Sequence, residues 1–325
     1  MFEVTYNGQL EEKPITEVFT QFFEKSLETD PDVAYIDADL MALIGVRDIA
    51  KKYPERVFNT GIMESNMIGM AAGLSLNGMK PYVHSFAAFV ARRAYDQIFL
   101  SGAYAHKNMH IIGSEPGVRQ DFNGGTHMTF EDVALMRAIP DIKIIEITDN
   151  AVLKSVLEQT KDEPGIFYYR VPMSEIQKVY SDDSTVTVGK GNILCDGKDA
   201  TVIAAGLLVP AALEAAKQLK AEGISIRVVD MFTIKPLDEE MILDSAKATG
   251  AIVTAENASI YGGLGEGVAR VLSENHPTPL QTIAVKDEFG EVGPESYLCK
   301  RYGFTTENIV TQVKKVIAQK KEADK

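Results

Sequence analysis

Short runs rich in β-branched and aromatic residues, at Val33–Asp37, Met109–Gly113, Ile142–Ile147 and Ile166–Arg170, alternate with longer stretches whose apolar residues recur at helical spacing. A strand apolar along its whole length has to be covered on both faces, and a helix between two such strands returns the chain to run the next one in the same direction. The pattern therefore predicts a parallel α/β sheet. Between about 171 and 191 the text turns polar and irregular, and a second alternation follows, with strands at Ala200–Gly206, Ile224–Asp230 and Ala251–Ala255 and a helix at Ala211–Glu222. The reading is α/β throughout, as two doubly wound domains over 1–180 and 190–325. A chain of 325 residues, 45% of them hydrophobic, can give each half its own core.

The formal net charge of −13, without clustered Lys or Arg, argues against nucleic acid and anionic membranes as partners. No apolar run is long enough to span a bilayer, and the opening MFEVTYNGQLEEKP has neither a basic start nor an apolar core. Cys195 and Cys299 lie far apart, without metal-ligand spacing, so no disulfide framework is expected. A cytoplasmic location and a frayed charged tail, KKEADK, complete these expectations.

Several segments carry more specific information. RVFNTGIMESNMIGMAAGLSLNGMKPYVHSFAAFVARRAYDQ (Arg56–Gln97), GGTHMTFEDVALMRAIPDIKI (Gly124–Ile144), RVVDMFTIKPLD, TAENASIYGGLGEGVA and YGFTTENIV stand in this order along the chain. Together they resemble the transketolases, specifically the C-terminal half (pyrimidine-binding plus C-terminal domain) of the split, two-chain form. The resemblance implies a thiamine-diphosphate-dependent enzyme that moves a two-carbon ketol unit from a ketose donor to an aldose acceptor. It also implies an N-terminal partner subunit carrying the diphosphate-binding half, in an α2β2 heterotetramer. The Gly-Asp-Gly segment and following Asn that the family uses for Mg2+ and the diphosphate do not occur, CDGKD at 195–199 coming nearest. The Mg2+ ligands are therefore expected from the partner. Two related families share this half. The 2-oxo acid dehydrogenase E1 β-type subunits usually show paired histidines where this chain has Gly-Thr-His at 125–127, and deoxyxylulose-phosphate synthase comes as one longer chain. A non-catalytic transketolase-like subunit is a further alternative.

On the resemblance, Glu64 in the Gly-x-x-Glu pattern (Gly61–Glu64) is the acid that faces N1′ of the cofactor's aminopyrimidine. Burial at the start of a helix over Glu64–Asn77, with an apolar stripe of Met67, Met70, Ala71 and Leu74, would favour a shared proton there. Taken alone, a first-turn Glu merely complements the helix dipole. The small residues Gly69, Ala71, Ala72 and Gly73 suit either close subunit contact or ordinary packing. Phe86 and Phe89, three apart, can form an aromatic wall; such pairs are usually core, but the resemblance puts the pyrimidine-stacking ring at Phe89. Asp39 matches an aspartate beside the cofactor. His127 matches a histidine that reaches the donor's C1 and C2 oxygens, and Arg170 an arginine that holds the sugar's terminal phosphate.

Some positions depart from the family. Leu43 and Glu115 replace phosphate-holding residues, and Phe122-Asn123-Gly124 stands where Glu-Asp-Gly is common. Asn123 can still hydrogen-bond a donor hydroxyl but has lost the charge. A carboxylate at Glu115 would repel a phosphate unless turned away or paired with Arg119. The expected donor is thus an atypical ketose, branched, shortened or sulfonated, with Arg119 or Arg92 at its end. The string GGLGEG (Gly262–Gly267) lacks the order of a dinucleotide-binding loop and is expected to turn into a helix, the C-terminal domain serving chiefly dimerisation.

Overall fold

The computed structural model describes residues 1–323. Its first half is built on parallel strands at Val33–Asp37 (β1), Val57–Asn59 (β2), Lys80–Phe86 (β3), Met109–Ser114 (β4), Lys143–Glu146 (β5) and Ile166–Val171 (β6). All residues of β1, β4 and β6 are buried, as strands covered on both faces must be. Neighbouring residues of β1 supply the two faces. Tyr35 packs with Phe19 and Phe23 of the helix Ile15–Thr29. Ile36 belongs to the opposite layer with Met67, Ile68, Ala71 and Val90, which lie on the helices Glu64–Leu76 and Ala87–Arg93.

The second half has strands at Asn192–Cys195 (β7), Ala200–Ala204 (β8), Ile226–Asp230 (β9), Thr233–Lys235 (β10), Ile252–Ser259 (β11) and Leu280–Val285 (β12). Five of them form a sheet in the order β12-β11-β8-β9-β7, with β7 antiparallel. The remaining strand crosses over. β10 pairs antiparallel with β5, completing a seven-stranded sheet in the order β10-β5-β6-β4-β3-β1-β2. Phe232 O accepts from Glu146 N at 2.8 Å, just ahead of that pairing. The sequence pattern predicts a separate sheet for each half; instead the second half supplies the edge strand of the first.

The expected strands are present with small shifts in their ends, and the helix expected from Ala211 begins at Leu208. In Glu64–Leu76, Met67 and Ala71 are buried as expected, but Met70 is exposed beside Gly69 and Gly73, so the stripe is narrower than its spacing suggested. Of the tail, residues 320–323 continue the helix Thr306–Ala323 rather than fraying, and Lys320 Nζ donates to Thr249 O at 2.8 Å. Asp324 and Lys325 lie outside the described residues. Gly262 and Gly263 do turn into a helix, Leu264–Asn275, whose first amides (Leu264 and Gly265) bond the buried Glu256 carboxylate. No helix among the described residues is long and apolar enough to cross a membrane.

Because β1 to β4 run in parallel, their carboxyl ends open on one edge of the sheet, where ligands bind in doubly wound folds. Asp39, Glu64 and Glu115 follow those ends, and Phe86 is the last residue of β3.

Where the two halves meet, Asp230 at the end of β9 is buried and accepts from Thr148 Oγ1 (2.9 Å) and Tyr180 OH (2.8 Å), while its Oδ1 has no partner. Burial pushes its carboxyl up to about 7. A folded-state value above the unfolded one means a stabilising contribution that is complete below about pH 4 and lost as pH rises towards 7. Asp230→Asn, which cannot ionise, is therefore expected to gain about 3 °C or more in Tm relative to wild type between pH 5 and pH 8, measured by thermal melts.

Candidate functional site

Glu64 opens the helix Glu64–Leu76 and is 2% exposed. Its Oε1 accepts from Ser85 Oγ at 3.2 Å, and Arg93 Nη1 donates to both carboxylate oxygens at 2.9 and 3.2 Å. Beneath it runs a buried polar chain. Ser114 Oγ reaches Ser85 O (3.4 Å) and His84 Nε2 (3.0 Å), His84 Nδ1 meets Asp37 Oδ2 (2.8 Å), and Tyr35 OH donates to the same oxygen (2.9 Å). Each link removes a rotamer choice from the next, so the floor of the site is fixed by groups that never reach the surface. Neither this chain nor Arg93 is anticipated from the sequence; the adjacent polar pair His84-Ser85 inside a strand otherwise rich in apolar letters, YVHSF, was the available signal.

Phe86 ends β3 and Phe89 sits in the first turn of the helix that follows, their rings edge to face with centroids 5.9 Å apart. His127 closes the group, its ring 4.9 Å from Phe89 and 6.0 Å from Phe86. His127 Nδ1 lies 2.9 Å from Thr126 Oγ1. Phe89, Phe86, Glu64 and His127, from three separate segments of the sequence, are thus linked through shared contacts, with Arg93 bridging Phe89 and Glu64.

Asp39 lies on the exposed loop after β1 in the left-handed region (φ 66°), braced by a double bond with Asn59: its amide donates to Asn59 Oδ1 (3.1 Å) and Asn59 Nδ2 donates to its Oδ1 (3.0 Å). Glu115, after β4, is also left-handed (φ 51°). Non-glycine residues there carry strain that the surroundings must sustain. Burial pushes the Glu115 carboxyl up to about 7, and its Oε2 has no partner. Asn123 is exposed and donates to Gln120 Oε1 at 2.8 Å.

The arginines fall differently from expectation. Arg170 does not face a sugar. It is 1% exposed, with Nε on Asp132 Oδ2 (2.8 Å), Nη2 on Asp132 Oδ1 (3.3 Å) and Asn257 O (2.9 Å), and Nη1 on Glu146. A phosphate could reach it only by displacing two buried carboxylates, which speaks against the phosphate-holding role expected for it. Arg92 spends Nε on Glu131, Nη1 on Thr126 O (3.3 Å) and Nη2 on Met128 O (2.6 Å). It fixes the loop that bears His127 rather than reaching outward. Arg119 pairs with Glu295 (2.8 Å), not with Glu115, and also donates to Ser174 Oγ and Glu175 O.

The second half contributes more than the expected dimerisation surface. A Cβ on Gly125 would come within 2.4 Å of Gly290 O, and one on Gly124 within 2.5 Å of Val292 Cγ2. The segment around Gly290 therefore lies directly against the His127 loop.

A model of the transketolase pyrimidine-binding domain matches residues 11–177, and one of the transketolase C-terminal domain matches 189–309. The chain is 41% identical over 315 residues to the 6-deoxy-6-sulfo-D-fructose transketolase subunit SqwH of Clostridium sp. (strain MSTE9), covering 97% of this chain and 98% of the relative. It is 35% identical to an apulose-4-phosphate transketolase subunit from Phocaeicola vulgatus, covering 90% and 93%. A solved structure described as a split gene transketolase, inactive beta4 tetramer, superimposes with a TM-score of 0.86 at 38% identity, covering 97% of this chain and all of the other.

Removing one member of a buried ion cluster leaves the rest uncompensated. Arg170→Ala is expected to lose about 3–5 kcal/mol of stability in denaturant titrations. A variant of unchanged stability that only weakened sugar-phosphate binding would restore the surface role.

Proposed function

The chain belongs to the transketolase family, and from that premise we propose that it is the pyrimidine-binding subunit of a two-chain transketolase acting on an atypical ketose. The observation that carries this reading is the joining of the buried Glu64 to the Phe86, Phe89 and His127 ring group through one flat nitrogenous group, the guanidinium of Arg93. A space that accepts a flat N–H donor between a carboxylate and an aromatic face fits an aminopyrimidine ring. Glu64 would hold a proton against N1′ of thiamine diphosphate, with Phe89 and Phe86 orienting the ring and excluding water. Asp39 stands at the rim of the same strand ends. When bound, the cofactor supplies the carbon nucleophile that takes up the two-carbon unit.

His127 is tied through Nδ1 to Thr126. Its Nε2 is the atom we assign to the donor's C1 and C2 oxygens, for proton transfer or hydrogen bonding. Asn123 is assigned to a donor hydroxyl. With Arg92, Arg119 and Arg170 all matched inside the chain, we assign none of them to the substrate's anionic end. Two of the relatives are named for sulfofructose and apulose 4-phosphate, in line with a donor other than the ordinary pentose or hexose phosphates. An N-terminal subunit would supply the Mg2+ and diphosphate ligands, in an α2β2 assembly. The exposed Gly69, Met70 and Gly73 of the Glu64 helix offer a face on which another backbone can lie close. The free thiols Cys195 and Cys299 accord with a cytoplasmic location.

The test is co-expression with the N-terminal partner and assay of ketol transfer from a panel of ketoses, including sulfofructose, apulose 4-phosphate and xylulose 5-phosphate, with thiamine diphosphate and Mg2+. Turnover that needs both chains and falls on the order of 100-fold or more in Glu64→Gln is expected. Preferential use of xylulose 5-phosphate would sink the atypical donor, and pyruvate decarboxylation without ketol transfer would indicate the oxo-acid reading.

Glu115 gives a pH signature. With its carboxyl near 7, it is largely neutral at pH 6 and charged at pH 8, so KM for an anionic ketose is expected to rise across that interval. Glu115→Gln should flatten the rise; a profile identical to wild type would place Glu115 away from the substrate.

A further inference from the structure

Arg93 ends the helix Ala87–Arg93, its backbone carbonyl accepting from Ser65 Oγ at 2.6 Å. While Nη1 engages both oxygens of Glu64, its Cζ lies 4.0 Å from the centroid of the Phe89 ring. A guanidinium is planar, presents N–H donors along its edge and stacks on aromatic faces. Those are the two demands an aminopyrimidine would make of the same residues, a flat face towards the phenyl ring and a nitrogen edge towards the carboxylate. The two sides differ in freedom. The Arg93 side chain is 46% exposed and can swing to solvent, whereas that of Glu64 is 2% exposed and cannot reach water if left alone. Without Arg93 the Glu64 carboxylate would keep only the 3.2 Å bond from Ser85 Oγ, and a buried carboxylate so thinly satisfied is costly, so Glu64 needs a second partner whether or not a ligand is bound.

We propose that Arg93 is a placeholder for the cofactor's aminopyrimidine, satisfying Glu64 and covering Phe89 until the ring arrives and then withdrawing to solvent. This rests on the reading of Glu64 and Phe89 as the pyrimidine site. Its consequence is a linkage: the two occupants exclude each other, so whatever Arg93 adds to the stability of the cofactor-free protein is subtracted from cofactor affinity. Arg93 thereby tunes how much cofactor the enzyme requires, without contributing to the loaded site.

Arg93→Met keeps an unbranched stem over Phe89 and removes the guanidinium. In the complex with the partner subunit and Mg2+, calorimetric titration with thiamine diphosphate is expected to show the variant binding tighter, on the order of tenfold. Thermal melts should show the variant less stable than wild type without cofactor and equal to it at saturation. Binding no tighter than wild type, or a Tm that falls equally in both states as for a merely structural arginine, overturns the proposal, and so does weaker binding, which would make Arg93 a cofactor ligand. Titrating Glu64→Gln alongside separates this from failure of the site itself. If wild type binds and Glu64→Gln does not, only Arg93 is in question; if wild type takes up no cofactor, the site assignment falls and the placeholder with it.

Discussion

The guanidinium of Arg170 is the fixed point of the molecule. A permanent cation buried on all sides is tolerable only if its donors meet acceptors that stay put, and here those come from three separate elements: Asp132 at the start of a helix, Glu146 at the end of β5, and the main-chain carbonyl of Asn257 in β11. Tyr168 donates to Asp132 from two residues earlier in the same strand (2.7 Å). The Asn257 side chain then clamps the loop after β4, accepting from Val118 N and donating to Pro116 O. Through that single cluster the second half sets where Glu115 and Arg119 stand, although neither touches Arg170.

The strands were legible because a strand buried on both faces has to be written in apolar letters, and the carboxyl-end placement of Asp39, Glu64, Phe86 and Glu115 follows from their order along the chain. The edge strand β10 was not legible. Thr233–Lys235 is short, follows β9 almost directly, and pairs with residues far earlier in the sequence, so nothing local betrays it. Glu64, Phe89 and His127 could be singled out only by resemblance, since each has a commonplace structural alternative. Arg170 was misread because an arginine ending a strand is written the same way whether it faces a ligand or two buried carboxylates.

Arg92 and Arg93 make the same point at finer scale. Adjacent and identical in the text, they leave their helix about 100° apart. That angle sends one to the carbonyls of the His127 loop and the other to Glu64 and Phe89. In the sequence, charge near the site favours both arginines alike, and nothing written there records direction.

Strand β10 bears on the question of what counts as a module here. The two family matches leave 178–188 between them, which invites treating the halves as interchangeable cassettes, yet the hydrogen bonds of the first sheet do not end there. A first half severed at the linker would expose the ladder of β5, an invitation to pair with another chain. A second half grafted from a relative would have to bring a strand whose register suits this β5. The two halves are thereby coupled through one strand, and any exchange of halves would have to keep Thr233–Lys235 with the sheet it completes.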